Sequence, residues 1–246
     1  MLHSYYIGVD LGQKMDYTAV AVIEEPVWVE PWTAEPGHRA WQLGIEEAGW
    51  VSPENIYPSA LEQVLSANYY EGKPAGVPLN LRHLERFELG TPYPRIVERV
   101  AAMLGTEPLR GRRCALVVDA TGVGASVVDQ FVHAGLSPIP VTIHGGDTVY
   151  YQRPGYRVPK RELVGAVQLL LQNERLKIVR SLPEAATLRT ELQNFRVKID
   201  PRTAHDSYSH WREAEHDDLV LASALAAWFR QFWNKHVDTA NALANR

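Results

Sequence analysis

Several features common in other protein classes are scarce or missing in this chain of 246 residues. It has one cysteine, Cys114, which excludes a disulfide within the chain and lies in an apolar run where a buried thiol is expected. No apolar run reaches the ~18 residues that a membrane span needs. Residues 1–6 lack the basic start and apolar stretch of a secretory signal. These absences predict a cytoplasmic protein with no membrane partner.

Charge of one sign is also lacking, because 25 Lys and Arg residues face 29 Asp and Glu residues, for a net charge of −4. The chain therefore has no overall basic signature of a nucleic-acid-binding protein, although a local basic patch is sufficient for binding. It contains no Gly-x-x-x-x-Gly-Lys-Ser/Thr loop, which excludes a P-loop ATPase motor in these residues. The length and the hydrophobic fraction of 46% fit one domain with a substantial core.

The order of apolar patterns predicts an α/β fold with a mixed sheet. Two β-type runs at residues 5–11 and 18–23 are expected to form a hairpin. Further strands are predicted at 79–89, 116–119 and 139–143, and helices at 94–104, 125–134, 160–173, 183–195 and 217–232. Strands that alternate with helices in this way are typical of α/β domains.

The remaining segments are predicted to be irregular parts of a single domain that spans residues 1–246. Residues 26–80 are rich in proline and tryptophan, which predicts an irregular segment wrapped on the core, with one short helix at 60–69. Residues 145–159 are predicted to be a loop beside the functional site, and 196–211 a polar connection.

Acidic residues stand at the ends of three apolar segments. Asp10 and Asp119 each end an apolar run, and Asp217 and Asp218 open a third. A buried carboxylate is costly unless it is paired or bound to a cation, and Mg²⁺ prefers carboxylate oxygens. The three positions therefore predict a shared site for Mg²⁺ or Mn²⁺, and two such ions can clamp an in-line phosphoryl displacement.

Each acidic residue also has a plainer explanation. Asp217 or Asp218 alone could be the N-cap of a helix. Asp119 could accept a hydrogen bond from the backbone two or three residues later, in a turn. Asp16 lies in the predicted hairpin turn, and His216 is a lone histidine beside the acidic pair, so both are secondary candidates.

Three segments resemble, in order, the acidic motifs of the nuclease domain of phage terminase large subunits. They are residues 8–19, which begin GVDLG, residues 118–124 with the sequence VDATGVG, and residues 216–224, which begin HDDLV. The resemblance covers most of residues 5–233. It implies an RNase H-like fold and metal-dependent cleavage of double-stranded DNA during genome packaging. It also implies that Asp10, Asp119 and Asp218 bind the metal and that Asp217 is a close alternative.

The resemblance suggests a mechanism and a setting. In two-metal hydrolysis, Asp10 and Asp218 would hold one Mg²⁺ or Mn²⁺ ion, and Asp10 and Asp119 would hold the other. The implied partners are a separate packaging ATPase, a small terminase subunit or the portal, in a bacterial host cell of a phage or prophage. Because the ATPase loop is missing, the chain is expected to be an isolated nuclease domain or a free-standing relative.

A local excess of positive charge follows the second motif. Residues 151–200 contain ten Lys and Arg against five Asp and Glu. Arg153, Arg157, Lys160 and Arg161 lie near three tyrosines, which predicts a DNA-binding surface, although a solvated face is the plainer explanation. Lys160 is also a candidate to approach the scissile phosphate or to support the acidic cluster.

Three other functions fit parts of the pattern. A sugar-kinase or actin-like ATPase would use the glycine-rich turns after Asp10 and Asp119 to cradle phosphates, but leaves Asp217 and Asp218 without a role. A nuclease similar to Holliday-junction resolvases would share the metal chemistry. A non-catalytic interaction module could use the four tryptophans between residues 28 and 50 as a partner surface.

Overall fold

The computed structural model describes residues 5–12, 16–28, 50–51, 78–122, 125–194 and 216–244. Most of the irregular segment predicted at 26–80, including its helix at 60–69, lies outside the described residues. The connection predicted at 196–211 lies outside them as well.

The described residues contain ten strands and five helices. The strands are β1 (Tyr5–Asp10), β2 (Ala19–Glu24), β3 (Val27–Trp28), β4 (Trp50–Val51), β5 (Leu79–Arg86), β6 (Cys114–Asp119), β7 (Pro138–His144), β8 (Tyr150–Gln152), β9 (Gly155–Pro159) and β10 (Leu176–Ile178). The helices are α1 (Tyr93–Leu104), α2 (Ala125–His133), α3 (Lys160–Gln172), α4 (Ala185–Asn194) and α5 (Asp218–Ala244).

Eight of the strands form one mixed sheet in the order β10-β5-β2-β1-β6-β7-β9-β8. β1, β6, β7 and β9 run parallel to one another, whereas β2 lies antiparallel to both β1 and β5. β8 turns back on β9, and β10 pairs in parallel with β5. This topology confirms the predicted hairpin of the first two strands and the predicted α/β fold with a mixed sheet.

Helices cover both faces of the sheet. Side chains of α3, α4 and α5 share one buried cluster with Tyr6 of β1, and side chains of α1 and α2 share the other with Ile7 and Val9. Successive residues of a strand point to opposite faces, so β1 contributes to both clusters. The even-numbered residues of β1, Asp10 among them, therefore face α5.

Helix α5 lies unusually close to β1, and a glycine makes this possible. A Cβ atom at Gly8 would stand 1.9 Å from the carbonyl oxygen of Ala222 and 3.0 Å from the amide nitrogen of Ala226. Only a residue without a side chain can occupy that position. Since Asp218 precedes Ala222 by about one turn of α5, this contact brings the start of the helix to the end of β1.

The structure differs from the sequence-based predictions at several places. The strand β10 was not predicted, and the short strands β3 and β4 lie in the segment predicted to be irregular. Residues 145–159, predicted as a loop, contain the β8–β9 hairpin, and Gly155 packs so closely on β7 that a Cβ there would stand 2.1 Å from the Pro140 carbonyl oxygen. Helix α5 continues past the predicted end at residue 232 to Ala244. Within the described ranges, none of the helices combines the length and apolarity needed to cross a membrane.

Candidate active site

Asp10 and Asp119 stand side by side at one edge of the sheet. β1 and β6 are parallel neighbours in which Val9 is opposite Val118, so the next residue of each strand is an aspartate at its carboxyl end. Both side chains lie on the face that α5 covers, and the residues are only 6% and 7% exposed. Their carboxyl groups are hydrogen-bonded to each other. Two acidic groups in such contact share a proton unless a cation separates them.

The electrostatics of Asp10 reflect this crowding. Burial raises the pKa of Asp10 well above its ordinary value, and the negative charges of Asp119, Asp218 and Asp217 raise it further. Three aspartates that are each more than 100 residues from Asp10 in the sequence therefore act on its carboxyl group in the folded chain.

Asp218 is the first residue of α5 and points its carboxylate into the same region. The residue is 4% exposed, and burial raises its pKa to about 6. Its Oδ2 atom is buried and has no hydrogen-bond partner. The nearest cationic groups are Nη2 of Arg86 at 3.6 Å and Nδ1 of His216 at 3.8 Å, too far for hydrogen bonds.

The chemistry of these three carboxylates is that of ligands for a divalent cation. A buried carboxylate oxygen without a donor, and two acidic groups in direct contact, are what a bound cation would satisfy. Among the residues that the structure describes, no three His, Cys, Asp or Glu side chains already surround one point closely enough to hold an ion. The carboxylates of Asp10, Asp119 and Asp218 are therefore neighbours rather than a closed ligand shell.

Asp217 has a different partner. Its Oδ2 accepts a hydrogen bond from Nζ of Lys160 at 2.7 Å, in a half-buried ion pair with the first residue of α3. Its backbone carbonyl accepts from the Leu221 amide, which places Asp217 at the N-cap position of α5. Because a lysine already neutralises Asp217, Asp218 is the better candidate for a metal ligand.

The free amides at the start of α5 are capped by a residue that the sequence did not single out. Oε2 of Glu191 accepts hydrogen bonds from the amides of Leu219 and Val220 at 3.0 and 3.1 Å. Its other oxygen, Oε1, pairs with Nη2 of Arg86. Glu191 thus holds in place both the end of the helix that carries Asp218 and the Arg86 guanidinium beside it.

Two secondary candidates lie next to Asp218. The ring of His216 packs edge-on against the ring of Tyr17, with centroids 4.7 Å apart, and the Arg86 guanidinium lies 4.8 Å from the Tyr17 ring centre. Asp16 precedes Tyr17 and is close enough for its charge to raise the pKa of Asp218. Asp16 and His216 therefore border the acidic cluster.

The turns that follow the two strand-end aspartates are held by specific hydrogen bonds. The Gly12 amide donates to Oγ1 of Thr18 at 3.1 Å, and the Tyr93 hydroxyl donates to the Gly12 carbonyl at 3.0 Å. The Thr121 amide donates to Oδ1 of Asp119 at 2.7 Å, which is the turn hydrogen bond expected from the sequence. Asp119 therefore stabilises its turn through Oδ1 while it contacts Asp10.

The four basic residues predicted to bind DNA have different surroundings. Lys160 belongs to the acidic cluster through Asp217. Arg161 is occupied by Asp147, whose side-chain and backbone oxygens accept from it at 2.7 and 2.8 Å. Arg153 and Arg157 lie on the β8–β9 hairpin.

Comparison with known proteins gives a structural likeness only. The sequence matches no protein-family model and no curated protein. The structure is similar to the crystal structure of the large terminase nuclease from thermophilic phage G20c, with a TM-score of 0.50 and 18% sequence identity over 91% of this chain and 81% of that one. This likeness confirms the predicted RNase H-like fold and the predicted resemblance to a terminase nuclease domain at the level of the fold.

Two further solved structures are more distant. The HK97 bacteriophage large terminase has a TM-score of 0.46 and 14% identity, and the match covers 93% of this chain but 40% of that one. T. thermophilus RuvC in complex with Holliday junction substrate has a TM-score of 0.34 and 12% identity, over 95% and 96% of the two chains.

Proposed function

We propose that the protein is a metal-dependent endonuclease that hydrolyses phosphodiester bonds in double-stranded DNA. The observation that carries this proposal is the meeting of Asp10, Asp119 and Asp218, from two strand ends and a helix start, in one buried cluster where the pKa values of Asp10 and Asp218 are raised. Buried acidic groups with perturbed pKa values concentrate at functional sites. The fold is that of a known terminase nuclease, which agrees with this chemistry.

Asp10, Asp119 and Asp218 would hold the cations, Mg²⁺ or Mn²⁺, and two ions fit the two-metal chemistry of phosphoryl transfer. Bound divalent cations lower the pKa of water and offset negative charge on phosphate oxygens. Asp10 interacts with both of the other carboxylates, because the charges of Asp119 and Asp218 each raise its pKa. It is therefore the residue expected to be shared between two ions.

The neighbouring residues position these groups. Glu191 holds the start of α5, and Arg86 stands beside Asp218 and limits where its carboxylate can turn. Lys160 offsets the charge of Asp217, so that the cluster carries less negative charge than four free aspartates would. The turn hydrogen bonds of Gly12 and Asp119 fix the two strand ends.

The third carboxylate favours this proposal over a phosphate-cradling ATPase. An ATPase of the sugar-kinase or actin type would use the turns after β1 and β6, and Asp218 would have no task there. In the structure Asp218 is buried beside those turns, with an oxygen that no donor satisfies. A bound metal ion would give that oxygen a partner.

The biological setting extends the same proposal. We propose that the chain cuts viral DNA in a bacterial cell, in concert with a packaging ATPase, a small terminase subunit or a portal. The three acidic motifs and the terminase-like fold support this setting.

Cleavage of supercoiled plasmid tests the proposed activity. We expect the purified protein to nick or linearise plasmid in the presence of Mn²⁺ or Mg²⁺, and EDTA to stop the reaction, because the cluster binds phosphate oxygens only through cations. Gel electrophoresis over time measures the rate. Cleavage that continues at full rate in excess EDTA would contradict the proposal.

A further inference from the structure

A groove lined by aromatic side chains lies beside the β8–β9 hairpin, away from the acidic cluster. Its volume is about 340 Å³. The residues that line this aromatic groove are Val149, Tyr150, Tyr151, Tyr156, Phe232 and Trp233. The first four come from the hairpin region and the last two from α5, so the groove follows one edge of the sheet.

The floor of the aromatic groove is fixed, whereas its rim is exposed. The Tyr156 ring packs edge-on against Tyr151 at 5.2 Å and against Phe232 at 5.1 Å. Tyr150 and Tyr151 nevertheless remain 47% and 57% exposed. Large rings that stay in water beside a concave apolar surface are typical of a binding site.

The charge around the groove indicates what the site binds. Arg153 is exposed in the turn between β8 and β9. Arg157 lies opposite Tyr150 in the hairpin, so these two residues share the face of the hairpin opposite to Tyr151 and Tyr156. Neither arginine forms an ion pair with any residue that the structure describes, since Nε of Arg157 donates to the neutral Gln152. Arginines without carboxylate partners beside exposed rings suit a nucleic acid strand, whose bases stack on the rings while its phosphates meet the arginines.

The position of the groove relative to the acidic cluster follows from α5. Asp218 and Trp233 are 15 residues apart on this helix, which corresponds to ~22 Å at the helical rise. One nucleotide advances a DNA strand by about 3.4 Å, so the groove lies roughly six nucleotides from the acidic cluster.

We propose that the aromatic groove is a second DNA subsite that binds unpaired bases of a strand cut at the acidic cluster. In a continuous duplex the faces of the bases are stacked on one another and unavailable to the rings. The preferred substrate is then a duplex with an unpaired stretch about six nucleotides from the cut. This inference rests on the proposed function in that DNA is the substrate.

Fluorescence anisotropy in EDTA tests the subsite without any cleavage. The probes are a labelled 30-base-pair duplex and the same duplex with four unpaired thymines on one strand. The variants are Tyr150→Ala and Tyr151→Ala, and Leu169→Ala is the matched control, because Leu169 is a similarly exposed apolar residue on α3. All the changed side chains are at the surface, and thermal melting checks that each variant is folded.

We expect the wild type to bind the DNA with unpaired bases about 10-fold more tightly than the plain duplex, as stacking on one or two rings provides. Each tyrosine variant should bind the unpaired DNA about 10-fold more weakly and the duplex with little change. Leu169→Ala should bind both DNAs as tightly as the wild type. Equal binding of the two DNAs, or an equal loss on both in the tyrosine variants, would overturn the proposal. A dimer detected by sedimentation in the wild type and absent in Tyr151→Ala would assign the groove to a second copy of the chain and also overturn it.

The two proposals fail in different ways. A preference for unpaired DNA without metal-dependent cleavage would refute the nuclease activity and leave the subsite standing. Metal-dependent cleavage without any such preference would refute the subsite alone. Placement of the unpaired stretch at 2, 6 or 12 nucleotides from a fixed cut then tests the spacing, with the fastest cleavage expected near six.

Discussion

We expect Asp10→Asn to reduce metal-dependent DNA cleavage by at least about 1000-fold, because the loss of a shared metal ligand removes several kcal/mol of transition-state stabilisation. Asp10 is the most interconnected carboxylate of the site, in contact with Asp119 and under the influence of both aspartates at the start of α5. The rate of plasmid cleavage in Mn²⁺ measures the effect. Asp129→Asn, an exposed aspartate on α2 at the other face of the sheet, is the matched control and should leave the rate unchanged.

The same substitution should stabilise the protein when no metal is present. Burial and neighbouring charges raise the pKa of Asp10 in the folded state, so its ionised form opposes folding. Asparagine fits the same space without that charge. We expect the melting temperature of Asp10→Asn in EDTA at pH 8 to exceed that of the wild type by about 2 to 6 °C.

The stability of the metal-free protein should also depend on pH. A carboxyl group whose pKa is raised by folding binds more protons in the folded state, so it stabilises the fold at low pH and loses this contribution as the pH rises through the folded pKa. For Asp218, a pKa raised from 3.8 to about 6 corresponds to about 3 kcal/mol of folding free energy, which is lost when the folded protein's Asp218 ionises. The metal-free wild type should therefore gain stability as the pH falls from 8 to 5, and Asp10→Asn should gain less. A wild type that loses stability over this range in EDTA would refute the electrostatic account.

The largest loss of stability is expected for Glu191→Ala. This change leaves the Arg86 guanidinium, whose side chain is 15% exposed, without its hydrogen-bonded carboxylate partner, and it uncaps two amides of α5. Removal of one partner of a buried ion pair costs about 3 to 5 kcal/mol. We expect the free energy of unfolding, measured with urea, to fall by that amount, and Mn²⁺ affinity, measured by calorimetry, to fall with it because Asp218 loses its support.

A double-mutant cycle separates the ion pair from other effects. If Glu191 and Arg86 stabilise the fold as a pair, the double variant Glu191→Ala with Arg86→Ala should lose clearly less free energy of unfolding than the sum of the losses in the two single variants. The matched control is Glu98→Ala, which breaks an exposed pair with Arg95 on α1 and should cost no more than about 1 kcal/mol. Additive losses for Glu191 and Arg86 would show that their contact contributes little.

The sequence was sufficient to predict the three carboxylates because each one marks a boundary. Asp10 and Asp119 end apolar runs that are typical of buried strands, and Asp218 begins a helix whose first three turns are apolar nearly all round. Parallel neighbouring strands bring their carboxyl ends to one edge of a sheet, so local patterns were enough to place these residues together. The different partners of Asp217 and Asp218 could be found only from the structure, because Asp217 pairs with Lys160, 57 residues earlier in the chain.

Arg86 and Glu191 escaped prediction because nothing in their local sequences distinguishes them. Arg86 ends a strand that contains other charged residues, and Glu191 lies in a short helix of low amphipathicity. Both local sequences therefore predict exposed, solvated side chains. Their pairing spans 105 residues and exists only after β5 and α4 pack beside α5. The β8–β9 hairpin was missed for a related reason: its strands are short, its first strand is exposed, and a proline and a glycine at its turn are also typical of a loop.

The location of Mn²⁺ tests the central claim most directly. Anomalous diffraction from crystals of the protein soaked in Mn²⁺ shows where the ion binds, independently of any DNA substrate. We expect Mn²⁺ in contact with the carboxylates of Asp10, Asp119 and Asp218, and its loss in crystals of Asp10→Asn. Mn²⁺ bound elsewhere, with none beside Asp10 at a concentration that supports plasmid cleavage, would contradict this claim.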